Sequence, residues 1–311
     1  MYQTKAVACK ELLKEYEDGK KVYSANKLIF EGVDGYDVYN ISQEFEDNGN
    51  YYIAGRVEKR DNEISCVRFF QKVEEYRYVA DFPELVFDKF QDPFVTRING
   101  ELIVGGVQIA TDPLSEEHKI INWRTLFYRG KTIKDLKYFA SGPSHMKDVR
   151  LGEMKDGKIA VFSRPQGEVG GLGKIGFTVV DSLEELTEEV IADAGIFETH
   201  FLPEEWGGAN QITLLENGCL GVLGHIAYRC EKDQVHYHSM SFILNPETLE
   251  HTPVKIIATR KDIPAGPTKR PELEDVIFSG GLVMKADGKC ELYTGVSDCE
   301  ACVLKIENPF K

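Results

Sequence analysis

Asn48-Gly49-Asn50-Tyr51-Tyr52-Ile53-Ala54 couples a turn dipeptide to a short apolar run. The coupling returns at Asn99-Gly100, Asp156-Gly157, Asn217-Gly218 and Asp287-Gly288. The glycines at 49, 100, 157, 218 and 288 stand 51, 57, 61 and 70 residues apart, enough for one four-stranded sheet each. Asn-Gly and Asp-Gly favour type I′ hairpin turns, in which both central residues need φ > 0. Hairpins at this spacing predict an all-β chain, a five-bladed β-propeller forming a single domain over residues 1–311. A propeller gathers its chemistry at the mouth of the central channel.

Apolar strand runs follow the turns at 51–54, 102–104, 159–162, 220–223 and 290–293. Residues 6–17 have helical spacing, with Ala6, Leu12, Leu13 and Tyr16 available for one face, and predict a short N-terminal helix. Segment 181–192 is acidic and reads as a helical turn or a blade edge, and the Pro-rich 263–271 as a long loop before the last blade.

The formal charge of −14 opposes binding to nucleic acid or an anionic membrane. It leaves room for a phosphorylated substrate, since local Arg and Lys can hold a phosphate. No apolar run reaches about 18 residues, the length a membrane span needs, and the charged first 21 residues lack a signal-peptide core. Seven cysteines, an odd count, predict reduced thiols in the cytoplasm. Cys299-Glu-Ala-Cys302 is a lone CxxC, and His236 and His238 lack a third ligand, so no metal is expected.

Aligned on their turn glycines, the repeats carry a polar or small residue eight or nine positions earlier: Asn40, Asp92, Asp148, Asn210 and Ser279. Seven positions after the glycine stand Arg56, Val107, Arg164, His225 and Gly295. Positions equidistant from a hairpin turn lie side by side. The two sets therefore predict a polar ring at the end of the hairpins away from the turns.

Asp92, in Phe90-Gln91-Asp92-Pro93-Phe94, is the candidate general acid. Pro93 is expected to hold it in an extended conformation. Arg56, Arg150, Arg164 and Lys147 form a basic spot suited to phosphate, or else ion pairs with Glu58, Asp148 and Asp298. Asn40, Gln108, Asn210 and His225 can hydrogen-bond sugar hydroxyls, and Trp206 can stack on a sugar face. No nucleotide phosphate loop or nucleophile elbow occurs, and Gly170-Gly171-Leu172-Gly173 reads as a loop.

Segments 35–42, 54–60, 91–94, 162–166, 206–210, 224–229 and 295–298 together resemble the five-bladed propellers of glycosyltransferase family 108, formerly a domain of unknown function. The chain is more distantly similar to the mannoside phosphorylases of glycoside hydrolase family 130. The resemblance implies β-1,2-mannosides as substrates, with phosphorolysis or mannosyl transfer as reaction. It implies Asp92 as catalytic acid, Arg56 and Glu58 beside the reacting sugar, Arg164 and His225 near phosphate, and Asp298 on the sugar. Phe94 and Glu205-Trp206 depart from family 130, where an Arg and a Lys tend to stand, and Lys147 or Lys174 are the candidate replacements.

The expected reaction is inverting phosphorolysis of β-1,2-linked manno-oligosaccharides to α-mannose 1-phosphate, and its reverse. Arg56, Arg150, Arg164 and His225 would hold phosphate, while Asn40, Arg56, Glu58, Gln108, Asp148, Trp206, Asn210 and Asp298 would bind sugar. Inorganic phosphate is then a co-substrate and no cofactor is needed. The alternatives are a GDP-mannose-dependent β-1,2-mannosyltransferase, a β-mannosidase using Glu58 or Glu168 as second carboxylate, and a non-catalytic carbohydrate-binding propeller.

Overall fold

A computed structural model describes residues 2–115, 119–231 and 233–311. It is built mostly of antiparallel strands in a propeller-like arrangement. Asp37–Tyr39, Asn50–Glu58, Ser65–Glu74 and Arg77–Asp81 make the first group. Phe90–Ile98, Glu101–Thr111, Ile120–Gly130 and Lys137–Ser141 make the second. Arg150–Glu153, Ile159–Ser163, Gly176–Val180 and Gly195–Ile196 follow, and then Glu205–Leu214, Leu220–Arg229, Val235–Leu244 and Lys255–Ala258. Asp275–Met284, Lys289–Val296 and Glu300–Glu307 take Val22–Lys27 from the N-terminal side as an added edge strand. That pairing ties the beginning of the chain to its end.

Hydrogen bonding does not keep these groups as separate four-stranded sheets. A parallel bridge, His236 to Asp275 and Tyr237 to Val276, fuses the last two groups into one eight-stranded sheet, and the first group gains extra strands to reach seven.

The turns also differ from the uniform type I′ expectation. Asn48 (φ 49) with Gly49 (φ 78), and Asn99 (φ 51) with Gly100 (φ 80), are both left-handed, as that turn requires. At 157, 218 and 288 only the glycine is left-handed. There the loop has three residues, closed by Met154 N–H to Lys158, Leu215 N–H to Cys219 and Lys285 N–H to Lys289. The preceding Asx residue is not left-handed, and its Oδ1 accepts a backbone N–H two residues on, in Asp156, Asn217 and Asp287 alike.

The N-terminal helix is Cys9–Gly19, shifted later than its predicted span, and buries Cys9, Leu12 and Tyr16 on one face, with Leu13 only partly buried. Its first turn is anchored by Cys9 N–H donating to Glu205 Oε1 (2.6 Å). Segment 181–192 forms a 3-10 turn, Leu183–Glu185, and a short helix, Glu188–Ala192, capped by Thr187. No helix among the described residues is long and apolar enough to cross a membrane.

Candidate active site

Where the groups converge, away from the five turns, lies a cavity of about 310 Å³. Asn40 and Arg56 come to it from the first group, Asp92 from the second, Lys147 and Asp148 from the approach to the third, Trp206 and Tyr237 from the fourth, and Asp298 from the last. Four of these are held in left-handed backbone: Asn40 (φ 42), Asp92 (φ 50), Asp148 (φ 60) and Asp298 (φ 53). Asn and Asp accept that conformation more readily than other side chains with a Cβ.

Asp92 is therefore not extended, as Pro93 alone would dictate. The ladder pairs Gln91 with Val107 and Phe94 with Gly105, which leaves Asp92 and Pro93 facing Gly106 alone. This bulge re-aims the carboxylate into the cavity. Similar irregularities recur at Asn210, between Ala209 and Gln211, and at Gly280, between Ser279 and Gly281.

Asn40 Nδ2 donates to Asp92 Oδ1 at 2.9 Å and Arg56 Nη1 donates to the same oxygen at 3.2 Å. Both donors reach Oδ1, so Oδ2 is the oxygen left for a ligand. Arg56 is itself fixed by Glu58 Oε2, through Nε at 3.0 Å and Nη2 at 2.5 Å, and lies 4.9 Å from the centre of the Tyr39 ring. Glu58 also accepts Tyr39 OH (2.6 Å) and the Lys269 ammonium. Glu58 does not line the cavity; it positions Arg56. Burial pushes the Asp298 carboxyl above the usual range, with Arg56 pulling it down and Asp92 pushing it up.

The basic side divides in the same way. Arg150 is fully buried, with Nε donating to Asn210 O (3.0 Å), Nη1 to Val149 O (3.1 Å), and its guanidinium 4.7 Å from the centre of the Phe94 ring. It does not line the cavity; Phe94, where family 130 tends to carry Arg, is its platform. Arg164 Nε donates to Gly207 O (2.8 Å), while its Nη1 lies 3.3 Å from Asp148 Oδ2 without an aligned hydrogen bond. His225 Nδ1 meets Asn210 Oδ1 at 2.8 Å, its ring stacks 4.4 Å from Tyr237, and its Nε2 has no protein partner. Burial, then Arg164, Lys147 and Arg150, push the imidazole well below its usual range, so it is neutral. A Cβ on Gly208 would sit 2.9 Å from both Arg164 Cδ and His225 Cε1, so these two side chains flank the same bare backbone.

Other predicted residues lie elsewhere. Gln108 is exposed, paired with Phe90 and Arg124, because strand alternation buries Val107 and turns Gln108 to solvent. Ser279 bonds Gly224 O and Ser239 inside the core. Asn210 is buried and does not line the cavity, its Oδ1 facing His225 Nδ1. Glycine at 295 makes room for Asn40, whose Oδ1 would be 2.1 Å from a Cβ there. Lys174 pairs with Glu198 at the surface and Glu168 is exposed. Trp206 reaches the cavity wall.

Sequence reasoning missed Tyr237, Glu63 and Lys269. Tyr237 stands between His236 and His238, and strand alternation puts it on the opposite, cavity-facing side. Lys269 comes from the Pro-rich loop and its side chain is 2% exposed, between Glu58 and Glu63. Nothing local in the sequence marks that long-range pairing. Among the described residues no group of three or more His, Cys, Asp or Glu is placed to hold a metal ion. Burial pushes the Cys299 thiol up to about 11 and Cys302 to about 12, so neither is a ready thiolate.

A family model described as "Protein of unknown function (DUF1861)" matches residues 14–311. The chain is 39% identical to MPT-4, a mannose phosphorylase from Leishmania mexicana solved in complex with phosphate ion, covering 96% of this chain and 93% of that one with a TM-score of 0.90. It is 38% identical to MPT-1, a GDP-Man-dependent mannosyltransferase from the same organism, covering 98% and 96% with a TM-score of 0.88. A 4-O-beta-D-mannosyl-D-glucose phosphorylase of Bacteroides fragilis is 29% identical over 178 residues, 53% of this chain and 44% of that protein. The chain thus aligns with under half the length of this curated relative.

Proposed function

The chain belongs to the DUF1861 family, and from its site we propose that it is an inverting mannoside phosphorylase built as one five-bladed domain. Its substrates are β-1,2-manno-oligosaccharides and inorganic phosphate, and its product is α-mannose 1-phosphate. The observation that carries this reading is the division of the site. Asp92, with one free oxygen, and Lys147 and Asp148 line the cavity, while Arg164 and His225, each with a nitrogen that has no hydrogen-bond partner, are buried just behind that lining, Arg164 beside Asp148 and His225 stacked on Tyr237. Phosphate is already an anion and needs positioning more than deprotonation. Arg164, His225 and Lys147 hold it on one face of the mannosyl C1. The C1–O bond to the departing sugar breaks as the phosphate oxygen bonds to C1. The proton needed by the departing oxygen comes from Asp92, directly or through a sugar hydroxyl.

Arg56 belongs with the acid in this scheme, since it bonds Asp92. Asn40, Asp148, Trp206 and Asp298 orient the sugar, while Glu58, Arg150 and Asn210 hold the residues that touch it. Hydrolysis would need a second carboxylate to activate water. Of the two carboxylates expected for that role, Glu58 is taken by Tyr39, Arg56 and Lys269, and Glu168 faces solvent; Asp148 and Asp298 also line the cavity, and the assay without phosphate tests whether either activates water. The buried thiols fit a reducing, cytoplasmic setting.

Incubation with β-1,2-mannobiose with and without phosphate tests the reading: mannose 1-phosphate should form only with phosphate. Free mannose without phosphate, and no sugar phosphate with it, would reject it. The 38% identity to the GDP-Man-dependent enzyme favours mannosyl transfer as the second reading. GDP-mannose and mannose 1-phosphate, compared as donors in the synthetic direction, decide between the two.

A further inference from the structure

We propose that Asn210 locks the neutral His225 as an Nδ1–H tautomer, so that Nε2 is a hydrogen-bond acceptor and the anion site selects a phosphate that carries its own P–OH. The inference rests on the phosphate-binding reading above and narrows it. Asn210 is placed for this task by its strand irregularity, since Gly208 pairs with His225 while Ala209 and Gln211 pair with Gly224 and Leu223. Its Oδ1 lies 2.8 Å from His225 Nδ1. A carbonyl oxygen only accepts, so the ring nitrogen facing it carries the hydrogen. The opposite nitrogen then presents a lone pair, and it is buried without a protein partner.

The groups whose charge acts on the ring are cationic: Arg164, Lys147 and Arg150. They attract an anion and oppose a proton on the ring. An oxygen arriving at Nε2 must therefore bring its own hydrogen. Inorganic phosphate at neutral pH keeps at least one P–OH. Sulfate has none, and neither do the bridging phosphates of a sugar nucleotide. A bare oxygen there would face a lone pair and leave Nε2 unpaired, the situation in which a buried site rejects an analogue that lacks one hydroxyl. Asn210 is in these terms a positioning residue, and the same logic favours inorganic phosphate over GDP-mannose.

The test is anion binding by titration calorimetry on the full chain at neutral pH, with inorganic phosphate and inorganic sulfate as probes. Phosphate is expected to bind about tenfold tighter than sulfate or better. Asn210→Leu, which frees the tautomer, should bring the ratio toward one. Nitrogen-15 NMR of the imidazoles, with the His225 signals assigned by their loss in His225→Gln, should show Nδ1 protonated and Nε2 bare, a readout that requires no folded Asn210 variant. Equal affinity for the two anions, binding of neither, a preference unchanged in a folded Asn210→Leu, or an Nε2–H tautomer would each overturn the proposal. Mannose 1-phosphate production is measured separately. A protein that makes it without discriminating the anions keeps the function and loses this inference.

Discussion

Gly208→Ala offers a sharp test of the anion site, because the change is one methyl group. Gly208 lies in a strand without positive φ, so alanine costs no backbone strain there. The new Cβ would come within 2.9 Å of Arg164 Cδ, 2.9 Å of His225 Cε1 and 3.3 Å of His225 Nε2. Carbon atoms pack at about 3.5–4.0 Å, so each side chain must retreat by roughly 0.6–1.1 Å. Neither is free to do so. Arg164 is tied through Nε to Gly207 O, and His225 is held by Asn210 and stacked on Tyr237. Overpacking of this kind costs about 1–3 kcal/mol, and a misplacement near 1 Å costs about 100-fold in rate. The kcat/KM for phosphate in mannobiose phosphorolysis should therefore fall by about 10- to 100-fold, in a protein that still melts cooperatively by circular dichroism. Gly19→Ala, whose Cβ would meet nothing within 4 Å, is the control. A Gly208→Ala enzyme with the parental kcat/KM for phosphate would refute the placement of Arg164 and His225 at the anion.

Asp92→Asn should cut turnover by about 10²–10⁴-fold, the range of general acid catalysis, with the thermal melt little changed; near-parental turnover would put the acid elsewhere. Lys269→Met removes a buried cation between Glu58 and Glu63 and should cost about 3 kcal/mol in urea unfolding; a loss below about 1 kcal/mol would mean that Arg56 and Tyr39 satisfy Glu58 alone. His238 is buried with neither ring nitrogen hydrogen-bonded, and burial lowers its pKa from 6.5 to about 4. Between these values the unfolded chain binds the proton and the native one does not, so its contribution to stability is intact above pH 6.5 and lost as pH falls toward 4. The loss amounts to about 3 kcal/mol, and unfolding titrations across this range should show a shallower decline for His238→Phe; identical slopes would show that His238 is protonated in the native state.

The fold was legible because its punctuation is local. A turn needs one or two residues with φ > 0, and Gly after Asn or Asp announces the place. The turn type was less legible, since two- and three-residue loops use the same dipeptide, and only strand pairing tells them apart. Register from the turns brought Asn40, Arg56, Asp92 and Asp148 to one cavity. It failed at Ser279, where distance from the turn says how far along a strand a residue lies but the added residue Gly280 changes which face it occupies; Gln108 is one residue past the register position, and simple alternation turns it to solvent. Lys269 was beyond reach for another reason: its partner Glu58 is 211 residues away, and a Pro-rich loop carries no periodicity from which to infer a contact.

The residue types at the cavity carry one further lesson. Asp92 and Asp148 were singled out for their carboxylates, and Asn40 for its amide. Each also occupies a left-handed backbone position that most side chains avoid. The two demands coincide because a short polar side chain both tolerates φ > 0 and reaches the cavity without filling it. An alanine at Asp92 would therefore remove the carboxylate and strain the bulge together, confounding chemistry with backbone cost. Asparagine keeps the backbone preference and the hydrogen bond from Arg56 through its oxygen, and deletes the acid together with its charge on Arg56. The asparagine variant separates catalysis from conformation at this site, and loss of turnover in it can be charged to the acid.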